Sequence, residues 1–168
     1  MTVLDVIRTR RSVRRWKDQP VEKKQLDALV EAIQKAPSAV NWQPYKFIFV
    51  NDPTKRKLLS QASGQPNLAK APLLVVGVAN QKRSPRWFLV DTVIALTQAL
   101  LVAYEVGLAG VIVGAFDESK VKAALEIPND QVVPLMLALG VADENPRPIT
   151  RKSMLELFSV NTYNKPFE

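Results

Sequence analysis

Residues 72–108 read PLLVVGVANQKRSPRWFLVDTVIALTQALLVAYEVGL and contain a strand and a helix from which the rest of the fold can be laid out. The apolar run at 72–79 has the length and branching of a buried strand. Residues 87–108 are apolar on nearly every side, which predicts a central helix about as long as a membrane span. Because ionised carboxylates are costly in lipid, a helix buried within the protein is the favoured interpretation. The polar residues that interrupt it are Asp91, Thr92, Thr97, Gln98 and Glu105.

Helices and strands alternate on both sides of this stretch. Thr2 and Asp5 form a capping-box pattern that predicts a first helix beginning at Thr2. Asp52-Pro53 supplies an N-cap and a first-turn proline for a helix over 53–62, and Gly107 to Gly110 is expected to end the central helix. Further helices are predicted over 22–36, 117–126 and 150–158, strands over 45–50, 111–116 and 135–141, and loops over 37–44 and 64–67. This alternation predicts a sheet with helices on both faces and no domain boundary.

The composition excludes several kinds of site. The 168 residues include no His and no Cys, which rules out Ser-His-Asp and Cys-His triads, disulfides, and imidazole or thiolate zinc sites. An enzyme of this composition must take its chemistry from a cofactor, a carboxylate or a lysine, and a cofactor is the leading candidate. No metal is expected. The N-terminus lacks the apolar core of a secretory signal, so a cytoplasmic protein is expected.

The charge of the chain points to an anionic ligand. Lys and Arg number 23 against 16 Asp and Glu, a formal net charge of +7, which would suit a nucleic acid, a membrane surface or a bound anion. Guanidinium groups around the Ser12 hydroxyl can surround a phosphate dianion, whereas the alternative is a solvated helix end. No RNA-binding aromatic motif or zinc-finger pattern accompanies them, so no nucleic-acid partner is expected. The clustered arginines are Arg8, Arg10, Arg11, Arg14 and Arg15.

A second candidate binding segment is PSAVNWQP at 37–44. Ser38, Asn41 and Gln43 are hydrogen-bonding groups held between two prolines, and such groups can contact the polar edge of a planar heterocycle. An ordinary turn is the more frequent explanation of such a segment. No GxGxxG, Walker A or GxSxG motif is present, which disfavours classical nicotinamide domains and P-loop ATPases.

Together these segments resemble the nitroreductase family, the FMN-dependent flavin reductase-like oxidoreductases. The resemblance spans residues 2–152 and rests on the order and spacing of many short motifs. They are Arg10-Arg11-Ser12-Val13-Arg14, Pro20-Val21, residues 36–45, Gln65, Ala71-Pro72, Asp91, Gln98, residues 107–110, Val113-Gly114-Ala115-Phe116 and Leu139-Gly140-Val141.

The resemblance implies which residues hold FMN, with the flavin itself supplying the chemistry and no catalytic side chain. The phosphate would be held by Arg10, Ser12 and Arg151 (or its neighbour Lys152), with Arg11 contributing by position. Arg14 would lie near the pyrimidine edge of the flavin. The neighbouring subunit would contribute Pro37, Ser38, Ala39 and Asn41. The ring edge would be contacted by Gln65 and Asn67, and N5 would be faced by the backbone of Val113, Gly114 and Ala115.

The resemblance also implies an α+β fold of three α-β-α layers, with a mostly antiparallel central sheet and an intertwined homodimer. Residues 1–160 would form a single FMN-binding domain, and the tail 161–168 would pack on the partner. The central helix would lie in the dimer core and not in a membrane. Hydride would pass from NAD(P)H to flavin N5 and then, by a ping-pong scheme, to a nitroaromatic, quinone or similar acceptor. A flavin-binding sensor or storage protein, or a specialised flavin-dependent dehydrogenase or dehalogenase, remains an alternative.

Overall fold

The computed structural model describes residues 2–166. Their strands form one sheet in the order β1-β2-β4-β3. All three strand pairings are antiparallel, which confirms the expected character of the sheet. The strands are β1 (Tyr45–Val50), β2 (Leu73–Ala79), β3 (Ala109–Val113) and β4 (Met136–Gly140).

Helices cover both faces of this sheet, as the alternation of elements predicted. The helices are α1 (Val3–Thr9), α2 (Lys23–Gln34), α3 (Pro53–Ser63), α4 (Phe88–Glu105), α5 (Glu118–Leu125) and α6 (Met154–Leu157). Successive residues of β2 point to opposite faces. One face packs on α3 and α5, through Leu74, Val76, Leu59, Ala62 and Val121. The other packs on α2 and α4, through Leu73, Val75, Leu29, Ile33 and Leu96. The result is the expected three-layer arrangement.

Side-chain caps set the beginnings of three helices. Thr2 and Asp5 form the capping box that was predicted, with the Asp5 amide donating to Thr2 Oγ1 at 3.2 Å. Asp52 accepts from the Lys55 amide at 2.8 Å, with Pro53 in the first turn of α3. Asp117 caps α5, as predicted, and its hydrogen bonds lower its pKa to about 2.

Other sequence-based boundaries were wrong. The central helix ends at Glu105, and Gly107 makes the turn with a φ of +81°. Gly110 lies inside β3 because a Cβ there would stand 2.0 Å from the carbonyl oxygen of Ala138 on the paired strand. Loops 37–44 and 64–67 contain or run into short 3-10 helices, at Ala39–Asn41 and Pro66–Lys70. The helix expected over 150–158 is reduced to α6.

Within one chain the central helix α4 is buried on one side only, and its expected place in a dimer core stays a prediction. Ala95, Leu96 and Ala99 are buried, while Leu89, Val90 and Ile94 are exposed. By length and composition alone α4 could cross a membrane, and it is the one helix within residues 2–166 that meets this test. An exposed apolar helix face of this kind marks a surface available for contact.

Candidate functional site

The arginine segment, residues 10–16, is extended chain fixed along the edge strand of the sheet. Ser12 forms a parallel bridge with Gly110, and the Val13 amide donates to the Gly110 carbonyl at 3.1 Å. Trp16 is buried and its Nε1 donates to the Ala109 carbonyl at 3.0 Å. The buried side chains of Val13 and Trp16 and the backbone contact to Gly110 therefore hold the segment, without using its charges.

The guanidinium groups of this segment differ in how far they are already occupied. Arg11 donates to the carbonyl oxygens of Arg8 and Arg10, both at 2.9 Å, and Arg15 lies 3.7 Å from Asp143. Within residues 2–166, no carboxylate lies within ion-pair distance of Arg10 or Arg14. These two cations are therefore available to an anionic ligand.

Two side chains that the sequence did not single out hold the backbone of the segment. Glu144 accepts from the amides of Arg14 at 2.5 Å and Arg15 at 3.1 Å. The Tyr104 hydroxyl, on α4, donates to the Arg11 carbonyl. Burial raises the pKa of Tyr104, so this hydroxyl keeps its proton and remains a donor at neutral pH.

The segment after α3 meets the arginine segment, as the family resemblance implied. Asn67 Nδ2 donates to the Arg14 carbonyl at 3.5 Å, a long contact. Gln65 is held by its backbone, its carbonyl accepting from Ser60 Oγ at 2.8 Å. Side chains that are 53 positions apart in the chain are thus brought to one place.

The end of β3 offers backbone donors. Val113 is buried in the sheet, whereas Gly114 and Ala115 lie just beyond it and are exposed. Within residues 2–166, no loop or side-chain hydrogen bond uses the N–H of Gly114 or Ala115. A Cβ at Gly114 would meet only the Leu135 side chain, at 3.1 Å. Two adjacent donors are therefore available to an acceptor atom of a ligand.

The proline loop, residues 37–44, has a strained backbone. Val40, Asn41 and Gln43 have φ values of +51°, +56° and +48°, in the left-handed region that a β-branched residue such as Val rarely enters. A residue strained in this way costs on the order of 1–3 kcal/mol, less for asparagine, and keeps the conformation only where its surroundings impose it; such strain clusters at functional sites. Gln43 Nε2 donates to Asn41 Oδ1 at 3.0 Å, and the Gln43 amide donates to Ser38 Oγ at 3.1 Å.

Asp91 holds the proline loop through a hydrogen bond. Its carboxylate is 3% exposed and accepts from the Ala39 amide at 3.1 Å. Its second oxygen has no hydrogen-bond partner among the described residues. Burial raises the pKa of the Tyr45 hydroxyl, and the negative charge of Asp91 adds to that rise. The sequence marked Asp91 as a polar interruption of the central helix and as part of the family pattern, but gave no signal of this role.

A second basic residue, besides the expected Arg151, lies near the arginine segment. Arg151 is exposed and lines none of the described cavities, whereas Arg147 and Arg11 line one cavity of about 330 Å³. The chain at 145–148 therefore returns beside the arginine segment. The proline-rich stretch was visible in the sequence, but nothing there assigned Arg147 to the site.

Comparison with known proteins shows the family to which the chain belongs. The model of the Nitroreductase family matches residues 7–65 and 55–141. A Thermus thermophilus protein named NADH dehydrogenase is 30% identical over 84% of this chain and 87% of its own length. A Bacillus subtilis NAD(P)H-dependent FMN reductase is 36% identical over 68% of this chain but only 44% of its own length. A solved FMN-dependent nitroreductase from Clostridium difficile superposes with a TM-score of 0.88 and 26% identity, covering 95% of this chain and 99% of its own.

Proposed function

The chain belongs to the nitroreductase family and is an NAD(P)H oxidoreductase that uses FMN, and on that basis we propose how its residues hold the cofactor. The phosphate lies against Arg10, Ser12 and a basic residue of the returning chain, either Arg151 or Arg147. Arg11 contributes through its position. The flavin ring extends from Arg14 past Gln65 and Asn67 to the backbone of Val113, Gly114 and Ala115.

One observation carries this assignment. Among the described residues, Arg10 and Arg14 have no carboxylate partner and the N–H groups of Gly114 and Ala115 have no acceptor, and the segment of these arginines lies along the same edge strand, β3. Guanidinium groups suit a phosphate dianion, and paired N–H groups suit the acceptor atoms at the edge of a heterocycle. The residues present therefore fit an FMN whose phosphate and ring occupy opposite ends of this edge.

We propose that two copies complete the site. The Pro37, Ser38, Ala39 and Asn41 part of the proline loop contacts the flavin of the second copy. The apolar surface available for that contact includes Val3, Leu4 and Ile7 of α1, Leu89, Val90 and Ile94 of α4, and Leu155 and Leu157 of α6. Exposed apolar side chains on three helices are what an interface between subunits would cover. It also gives the exposed face of α4 a protein neighbour in place of lipid.

The same proposal covers the ends of the chain. Residues 1–160 form one FMN-binding domain, and the tail 161–168 packs on the second copy. The Tyr163 side chain is 91% exposed in one copy, so it is available to pack on a second copy. Met1, Phe167 and Glu168 lie outside the described residues. The expected compartment is the cytoplasm, where NAD(P)H is available.

When bound, FMN is the carrier of two electrons, taken as hydride from NAD(P)H and passed to a nitroaromatic, a quinone or a similar acceptor. The scheme is ping-pong. The protein binds and orients. Arg14 stabilises negative charge at the pyrimidine edge of the ring, because a fixed cation in a partly dry site interacts more strongly than one in water. No His or Cys is needed for this chemistry, which accords with a chain that has neither.

The test is spectroscopic. Purified protein should be yellow or become so with added FMN, and should bleach on addition of NADH or NADPH without oxygen. Restoration of the colour by a nitroaromatic or quinone, with steady-state turnover, identifies an enzyme. Bleaching without turnover on any acceptor would indicate a sensing or storage role instead. Failure to bind FMN would overturn the proposed site.

Arg10→Ala should weaken FMN binding by about 100-fold, because a charge-assisted contact to phosphate is lost. The matched control is Arg15→Ala, which removes the same charge from the same segment but breaks only a contact to Asp143. Fluorescence titration of flavin gives both dissociation constants. Equal values for the two variants would remove Arg10 from the site.

A further inference from the structure

A cavity of about 510 Å³ lies beside the proline loop, between the start of β1, the end of β2 and the C-terminal end of α5. Its apolar wall includes Ile48 and Val78, and its polar rim carries amides and cations: Gln43, Asn80, Gln131, Lys46 and Arg83. We propose that this cavity binds the adenosine diphosphate half of NAD(P)H. The proposal rests on the proposed function, because it takes the proline loop to reach the flavin of the second copy.

The cations of the rim are available to phosphate. Within residues 2–166, neither Lys46 nor Arg83 lies within ion-pair distance of a carboxylate, whereas the adjacent Lys82 pairs with Asp130 at 2.9 Å. The acidic residue of the lining, Glu126, lies 3.8 Å from Lys55. The lining thus carries two cations that have no carboxylate partner among the described residues and one carboxylate that has a lysine beside it, a balance that favours an anion.

The amides and the apolar wall suit a planar base. Asn80 Oδ1 accepts from the Arg83 amide at 3.0 Å, and the Asn80 amide nitrogen has no acceptor among the described residues. Gln131 makes one long contact to Asp130, at 3.3 Å. Ligand sites typically combine an apolar wall with a few placed polar groups in about 300–1,000 Å³, and this cavity falls within that range.

The cavity and the proposed flavin contact share one loop. Gln43 lines the cavity and donates through Nε2 to Asn41, which is assigned to the flavin of the second copy. A dinucleotide whose adenosine diphosphate half occupies the cavity would therefore be held beside the same loop that contacts that flavin. Gln43 and Asn41, which lie in the strained part of the loop, would link the binding of NAD(P)H to the contact with the flavin.

The test uses ADP as the probe on the FMN-loaded protein, by titration calorimetry, together with steady-state oxidation of NADH and NADPH. We expect Lys46→Ala and Arg83→Ala each to weaken ADP binding by about tenfold and to raise KM for the nucleotide, with kcat and FMN affinity unchanged. The double variant should lose about 100-fold in ADP affinity. All the replaced side chains are exposed, so the fold is not at risk.

Two nearby cations provide the controls. Lys82→Ala removes a lysine paired with Asp130, and Arg86→Ala removes an arginine stacked 4.8 Å from the Trp87 ring. Neither should change ADP affinity or KM. If FMN binds and is reduced, but the double variant binds ADP as tightly as the parent, the cavity is not the nucleotide site and the proposed function stands. If FMN does not bind, the proposed function itself fails.

Discussion

The arginine segment and the proline loop reach a ligand in opposite ways. The arginine segment has an ordinary extended backbone, fixed to the sheet through Gly110 and Trp16, and it presents free charges. The proline loop has no charged side chain of its own. What distinguishes it is its backbone conformation, which includes left-handed residues such as Val40. The first depends on side chains placed on a stable scaffold, the second on a conformation imposed from outside.

The difference teaches where each segment is vulnerable. Because the arginine segment is held by the sheet and also by Glu144 and Tyr104, the loss of any one of these contacts should leave it in place. The proline loop is held from another element, through the Ala39 amide and the buried Asp91 carboxylate. It should therefore loosen locally, while the sheet stays intact, when that one contact is lost.

The largest expected effect comes from breaking the scaffold of the arginine segment. In Gly110→Ala the new Cβ would stand 2.0 Å from the Ala138 carbonyl oxygen and 2.6 Å from Leu139 Cδ2, so β3 and β4 must separate. We expect the free energy of unfolding to fall by about 3–5 kcal/mol, measured by urea denaturation. The control is Gly64→Ala, where nothing lies within 4 Å and φ is +64°, and where a cost of about 1–2 kcal/mol is expected. Equal losses would show that β3 does not depend on this close approach.

The second prediction tests the anchor of the proline loop. Asp91→Ala removes a charge-assisted acceptor worth about 1.5–3 kcal/mol, so hydrogen exchange at the Ala39 amide should accelerate by about 10- to 100-fold. Exchange at the Val13 amide, which is bonded to the sheet, should not change. Asp91→Asn keeps an acceptor oxygen and should retain most of the protection. Acceleration at both amides would mean that the two segments open together and that the contrast between them is wrong.

The sequence predicted the arginine segment much better than the proline loop. Tyr45–Val50, the alternation of elements and the caps at Thr2, Asp52 and Asp117 follow from local patterns, so these predictions are confirmed. Arg10 and Arg14 were predicted because clustered charges can be read from the sequence. The structure places their segment along β3 at Gly110, and the Arg14 carbonyl accepts from Asn67. Their role as FMN ligands stays a prediction.

What the sequence could not show depends on distant contacts. The sequence predicts Gly110 at the end of a helix. It does not show the crowding by Ala138, because that crowding exists only after the strands pair. The left-handed Val40 contradicts the preference of valine and is maintained by Asp91, 51 positions away. Tyr104 lies in an apolar helix, and its contact with the Arg11 carbonyl appears only when that helix meets the arginine segment.

The smallest expected effect concerns the strain itself. Val40→Gly places at φ +51° a residue that adopts this region freely, and Val40 is 82% exposed, so little burial is lost within the chain. Relief of strain of about 1–2 kcal/mol exceeds the entropic cost of glycine, about 0.5–1 kcal/mol. We expect a gain of about 0.5–1 kcal/mol in the free energy of unfolding. Asn41→Gly should give almost no gain, because asparagine tolerates the left-handed region.

Urea denaturation of both variants and the parent, at one protein concentration, measures the difference between Val40 and Asn41 directly. A gain at Val40 that is absent at Asn41 would assign the strain to the β-branched side chain. If Val40→Gly were instead destabilising while Asn41→Gly was neutral, the valine side chain would contribute a contact that outweighs its strain. Since one chain leaves that side chain in solvent, the contact would have to come from a second copy, and the loop would then be stabilised by assembly as well as by Asp91.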